Sequence, residues 1–148
     1  MFSLQSSRLY DQTSFYKVFL RDLGLAQFRV IIESPFITKK CMSLLLPTLL
    51  KLRARDVRVI INTKPFEEHK QAYQSQAIWV VGVMQDLGIE VSMIVGHHRK
   101  LAIIDDSILW EGSLNILSQN DSRELMRRIE SKEAVGQMRK FIGIKKWC

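Results

Sequence analysis

The sequence predicts an α/β domain, a mixed and mostly parallel sheet flanked by helices on both faces. Three observations carry that expectation. Short β-branched runs alternate with segments whose apolar residues recur at helical spacing, the order that joins parallel strands through crossover helices. The runs at Val30–Ile32 and Val57–Ile61 are almost continuously apolar, as strands buried on both faces are. Late in the chain, two short apolar runs are separated only by Asp105-Asp106-Ser107, which reads as a hairpin and adds antiparallel strands.

Taken in order, residues 1–10 are expected to be a loose arm on a single domain spanning residues 1–148. Asp11 to Leu23 reads as a helix: Asp11 or Thr13 can cap it, Phe15, Val18, Phe19 and Leu23 share a face, and Gly24 stops it. Phe28 to Glu33 is a strand ended by Ser34-Pro35-Phe36. Thr38 can cap a second helix running to about Arg53, in which Pro47 predicts a kink or a break. Val57 to Asn62 is the next strand. Phe66 to Leu87 reads as one long helix closed by Gly88, and Ile89 to Val95 as a third strand. The hairpin follows, then a polar loop over residues 118–122, a strand from Glu124 to Glu130, and a helix from Lys132 to Ile142. Phe15, Phe19 and Trp79 are expected in the core, and His69, among Glu67, Glu68 and Lys70, at the surface.

Composition narrows the partners. The chain of 148 residues has a net charge of +7, which favours a polyanion such as nucleic acid. Its two cysteines, Cys41 and Cys148, match no paired-cysteine pattern, which fits a reducing, cytoplasmic setting. The first ten residues hold no sustained apolar core, and runs such as Ile78 to Met84 are far too short for a membrane span. Three scattered histidines make no zinc pattern, so neither a metal nor another cofactor is expected.

The chemistry concentrates in His98 to Asn115. His98 and Lys100 are two apart and share a face of an extended segment. Ser113 and Asn115 are again two apart, and Gly112 lets the backbone approach something closely. One imidazole, one ammonium, one hydroxyl and one carboxamide then converge beside the hairpin, a set suited to a phosphodiester. The imidazole serves as nucleophile or general acid. The ammonium neutralises the non-bridging oxygens, and the hydroxyl and amide donate hydrogen bonds to them. His97 points to the opposite face and is expected to be structural. Asp105 has the wrong parity for the His98 face and is read as a residue that stabilises the turn. A second group of cations, Arg123, Arg127, Arg128, Arg139, Lys140, Lys145 and Lys146, is the better candidate for tracking phosphates. A first group, Lys39, Lys40, Lys51, Arg53, Arg55 and Arg58, is the weaker one. Trp147 could stack on a base.

His98, Lys100, Asp105, Gly112, Ser113 and Asn115 match, without departure, the HKD motif of the phospholipase D superfamily. The order of elements resembles one half of that fold, and Ser34-Pro35-Phe36 also looks like it. Ser122-Arg123-Glu124-Leu125-Met126 resembles the region of single-motif bacterial nucleases in which a glutamate holds the catalytic histidine's other nitrogen, which makes Glu124 a site residue. The resemblance implies a metal-independent phosphodiesterase that works through a phosphohistidine. It needs two histidines, so one motif per chain implies a homodimer, expected to be held by apolar surface such as Trp110 or Leu114. DNA, single- or double-stranded, is the favoured substrate. The run after the motif also resembles modules attached to bacterial DNA helicases, which makes a DNA-processing partner an expectation. The rival readings are a phospholipase or phosphatidyl transferase, and a non-catalytic nucleic-acid-binding module.

Overall fold

A computed structural model describes residues 6–143. In chain order its elements are β1 (Ser7–Asp11), α1 (Phe15–Gly24), β2 (Arg29–Glu33), α2 (Lys39–Ala54), β3 (Arg58–Thr63), α3 (Gln71–Asp86), β4 (Glu90–Met93), β5 (Leu101–Ile104), β6 (Ile108–Gly112), β7 (Leu125–Glu130) and α4 (Lys132–Ile142). The strands form one seven-stranded sheet in the order β1-β7-β6-β5-β2-β3-β4. Side chains alternate across it. Val30, Ile32, Val59, Ile61, Ala102, Ile104 and Trp110 face α1, α2 and α3, whereas Ile31, Ile60, Ile103, Leu109 and Ile129 lie under α4. Helices therefore cover both faces, as expected.

The sheet is mixed, but the balance of its pairings is the reverse of mostly parallel. Only β2–β3 and β3–β4 are parallel; the other four pairings are antiparallel. The cause is connection chemistry. Parallel neighbours need a crossover, which α2 and α3 supply, whereas β5, β6 and β7 follow one another through a turn and a helix-free loop. The expected arm is also corrected: residues 7–11 are an edge strand in register with β7, from Ser7 opposite Ile129 to Asp11 opposite Leu125. Residues 1–5 lie outside the described residues.

That strand delays the first helix. The Asp11 carboxylate accepts from the backbone N–H of Thr13 at 3.0 Å and Ser14 at 3.1 Å, which turns the chain, and α1 starts at Phe15. Thr38 caps α2 as expected, its hydroxyl accepting from the Cys41 N–H at 3.3 Å. Pro47 does not break the helix. It forfeits one backbone bond, but Leu45 and Leu49 on either side are fully buried and hold the axis together. The long helix expected from Phe66 is split into a 3₁₀ turn, Phe66–Glu68, and α3, because His69 is extended (φ −81°, ψ 152°). His69 is buried rather than solvent-facing, with Nε2 3.2 Å from the Lys64 carbonyl and its ring edge-on to Phe36. Trp79, expected in the core, is 54% exposed under the Lys39 ammonium, 4.7 Å from its ring centre. Trp110 and Leu114, expected at a dimer surface, are instead fully buried in their own chain's core. Among the described residues no helix is long and apolar enough to cross a membrane.

Asp105 ties the hairpin to the centre of the sheet. Its carboxylate accepts from the backbone N–H of Gln27 at 3.0 Å, Phe28 at 2.9 Å and Arg29 at 3.1 Å. Its own N–H donates to the Arg29 carbonyl at 2.8 Å. Asp105→Ala is expected to cost about 2 kcal/mol through lost charge-assisted bonds. The check is a lower urea midpoint at unchanged slope; a midpoint equal to wild type would refute the assignment.

Candidate active site

The pairings bring the chemistry-bearing residues to one edge of the sheet. Since β2, β3 and β6 run one way and β5 and β7 the other, the ends of the former meet the starts of the latter. His98 and Lys100 precede β5, Ser113 and Asn115 follow β6, Glu124 precedes β7, and Glu33 and Asn62 lie at the ends of β2 and β3. This is the carboxyl edge of the parallel strands, where open α/β sheets place their ligands.

Local contacts set each group. His98 and Lys100 lie just before β5 rather than on it, and the Lys100 carbonyl accepts from the Gly112 N–H at 3.4 Å. The Lys100 ammonium donates to the His98 carbonyl at 3.2 Å. The His98 imidazole is exposed, and among the described residues nothing hydrogen-bonds it. Gly112 is required by close packing: a Cβ there would collide with the Leu125 carbonyl and lie 2.9 Å from Met126. The close approach inferred for it is thus to β7.

Ser113 Oγ accepts from the Leu125 N–H at 3.0 Å and donates to the Leu125 carbonyl at 3.5 Å. Hydrogen bonds from Ser113, then from Ser122, and the nearby Lys100 charge hold the Glu124 carboxyl below the usual glutamate range. The expected bond from Glu124 to His98 is not formed in the single chain; the groups that lower the carboxyl pKa are Ser113, Ser122 and Lys100. Asn115 sits in the loop after β6, which is docked through Leu117: its carbonyl accepts from the Thr38 N–H at 2.7 Å, and its N–H donates to Ser34 Oγ at 3.1 Å. Asn115 Oδ1 is buried without a hydrogen-bond partner. Lys100, Ser113 and Glu124 are thus clustered, His98 and Asn115 flank them, and Asp105 is at the far end of β5, roughly 17 Å from Lys100 by strand rise.

The cations sort differently than expected. Arg128 is committed to the buried Asp22, at 2.6 Å and 3.0 Å, which also accepts from the Trp110 indole at 3.0 Å. Its pull on the Arg128 guanidinium is the main reason that group holds its proton more tightly than usual. Arg127 reaches Ser7 Oγ at 2.8 Å across the β1–β7 pair. Arg139 pairs with Asp106 at 3.0 Å. Of this group Arg123 and Lys140 are exposed; Lys145, Lys146 and Trp147 lie outside the described residues. In the other group Arg53 and Arg55 donate to backbone carbonyls, and Arg58 pairs with Glu90 at 2.6 Å.

Sequence reasoning missed Glu33. It is fully buried, its Oε2 accepts from Asn62 Nδ2 at 2.8 Å, and its Oε1 lies 3.7 Å from His97 Nε2 and 3.9 Å from Arg99 Nη1. Burial pushes its carboxyl up, against the Asn62 bond and the Arg99 charge. Burial first, then the charge of Arg99, pushes His97 down. The available signal was a carboxylate closing an otherwise apolar strand. His97 does face away from His98, as parity required.

An exposed imidazole, a lysine, a serine and a carboxylate are thus brought to the carboxyl edge of a mixed sheet. Residues 19–144 match the family described as "Cardiolipin synthase, PLD-like domain", and the chain belongs to this PLD-like, phospholipase D family. Its fold is similar to that of a phospholipase D family member, Nuc from Salmonella typhimurium (TM-score 0.74, 16% identity, 92% of this chain and 90% of that one). NucT from Helicobacter pylori is similar too (TM-score 0.71, 18% identity, 91% of each chain). So is phosphatidylserine synthase from Haemophilus influenzae (TM-score 0.77, 12% identity), of which the match covers 95% of this chain and 36% of that one. No curated protein sequence matches the chain significantly.

Ser113→Ala is expected to move the Glu124 carboxyl titration upward, towards the ordinary glutamate value. The sign follows from linkage. A depressed carboxyl adds stability that is present above its unfolded pKa and lost as pH falls through the folded value. Carboxyl NMR titrations of the two proteins check this; an unmoved midpoint would show that Ser113 does not hold the carboxylate.

Proposed function

We propose that this protein is a metal-independent phosphodiesterase that cuts DNA in the cytoplasm, through a phosphohistidine formed in a composite site of two identical chains. The observation that carries the reading is the gathering of Lys100, Ser113 and Glu124 beside a single exposed, unengaged imidazole, His98. In the first step a His98 ring nitrogen bonds to phosphorus and the bond to the leaving oxygen breaks. The imidazolium of His98 of the partner subunit gives that oxygen its proton. In the second step the same partner imidazole, now neutral, takes a proton from water, whose oxygen bonds to phosphorus as the P–N bond breaks. Lys100 and the donors of Ser113 and Asn115 stabilise the non-bridging oxygens. One side chain type then works in two protonation states.

The net charge of +7 supports a polyanionic substrate. Exposed Val95, Leu125 and Phe141 near the site edge offer apolar surface for a second copy, in place of the buried Trp110 and Leu114. A second reading, phosphatidyl transfer, is favoured by the wording of the family description and by the Haemophilus fold match.

Incubating the protein in EDTA with plasmid, single-stranded DNA, RNA and phosphatidylcholine vesicles is expected to give DNA cleavage. Activity that disappears in chelator and returns with magnesium would refute metal independence, and choline release would favour the lipid reading. His98→Ala is expected to lower turnover by about 10³-fold or more. It should keep most DNA affinity, and it should lose the acid-labile, alkali-stable phosphoenzyme that wild type forms.

The composite site makes a separate prediction. Sedimentation is expected to show twice the 17.2 kDa chain mass. After subunit exchange, excess His98→Ala should poison wild-type activity, because each heterodimer holds one reactive imidazole. A fully active monomer, or activity falling only with dilution, contradicts it.

A further inference from the structure

The least expected residue of the sheet is Glu33. It ends a central strand on the α4 side, where the preceding position on that face and its neighbours in β3 and β5 are Ile31, Ile60 and Ile103. A fully buried carboxylate costs free energy unless it is well paired, and an apolar residue would serve the core better. The pairing of Glu33 is incomplete. Asn62 occupies Oε2, while Oε1 has no hydrogen bond; the groups nearest it include His97 Nε2 at 3.7 Å and Arg99 Nη1 at 3.9 Å. His97 Nε2 is likewise buried and unbonded.

What singles out these two neighbours is their place in the chain. They flank His98 on either side. One buried carboxylate thus attracts the residues immediately before and after the exposed imidazole, in a segment that belongs to no strand. With His97 buried against Glu33 and Arg99 reaching it from a half-exposed position, the His98 imidazole between them is left exposed. We propose that Glu33, supported by Asn62, is a positioning residue for the phosphodiesterase reaction, which fixes the backbone around His98 by holding His97 and Arg99. This rests on the reading of His98 as nucleophile. Burial is the first cause of both shifts, downward for His97 and upward for Glu33. The attraction to Arg99, whose side chain is half exposed, is the more screened of the two contacts.

The test separates positioning from stability with Glu33→Leu and Glu33→Gln. A leucine side chain suits the apolar face but leaves the buried Asn62 amide without its acceptor, so E33L is expected to stay folded and to melt near or slightly below the wild-type temperature. Its kcat should nevertheless fall about 10- to 100-fold with KM little changed, the mark of a misplaced reacting group. E33Q keeps an oxygen for His97 and Arg99 and should recover most of the rate. Imidazole NMR supplies a readout that needs no substrate. The His97 and His98 signals should shift or broaden in E33L while that of His69 stays. If wild type turns over no phosphodiester, the functional reading falls, and the imidazole spectra alone decide the positioning. Unchanged His98 signals in E33L would overturn the proposal, as would a rate loss that merely follows a loss of stability. Should E33L fail to fold, wild-type-like His98 signals in E33Q alongside normal kcat support it, and a rate loss in folded E33Q with unmoved His98 signals overturns it.

Discussion

The antiparallel seam between β2 and β5 is the constraint on which the rest depends. It joins the part of the sheet built by crossover helices to the part built by hairpins, and Asp105 fastens one end of it by filling three backbone N–H groups around the start of β2. With that end fixed, the other end of β5 must lie beside Glu33, because Leu101 is opposite it in register. His98 and Lys100 are therefore delivered to the carboxyl edge by a strand only four residues long. The D of the motif acts at a distance from the chemistry, by setting where the H and the K come to rest.

Buried charge is used twice, in different ways. Asp22 is satisfied on both oxygens, by two guanidinium nitrogens of Arg128 and by the Trp110 indole. That arrangement locks α1 to the sheet, and removing one partner would leave the others stranded in a poorly solvating interior. Glu33 is satisfied on one oxygen only, and the incomplete side is turned to the segment that carries His98. A complete network fits a structural joint, and an incomplete one fits a place where geometry matters more than stability.

Much of this was legible in the sequence. The motif spacing located the residues that meet at the carboxyl edge of the sheet, and the apolar runs located β2, β3 and β5. The errors share one cause, the dependence of an element on partners remote in sequence. Residues 7–11 look like an arm until Met126 and its neighbours in β7 are there to pair with them. His69 is buried because helix α3 starts five residues later than its hydrophobic pattern implies, and Trp79 is exposed because the buried face of that helix is Ala77, Val80, Val81 and Met84. Arg128 looks like a phosphate ligand until Asp22, more than a hundred positions earlier, claims it. Glu124 met its serines rather than the histidine for a similar reason, since the loop that carries it returns onto Ser113.

The β1–β7 pairing has a consequence for how the chain is made. Ser7 and Arg127, in contact across this seam, are 120 positions apart. A ribosome delivers β1 long before its partner exists, so the first strand must wait, solvated and unpaired, while the centre of the sheet assembles behind it. Residues up to Ile129 have to emerge before that edge can close. Closure then depends on the same late segment that carries Glu124, so completion of the sheet and arrival of Glu124 at its carboxyl edge both wait for β7. A nascent chain interrupted before β7 would present bare backbone at the edge of β6, a template for pairing with other chains.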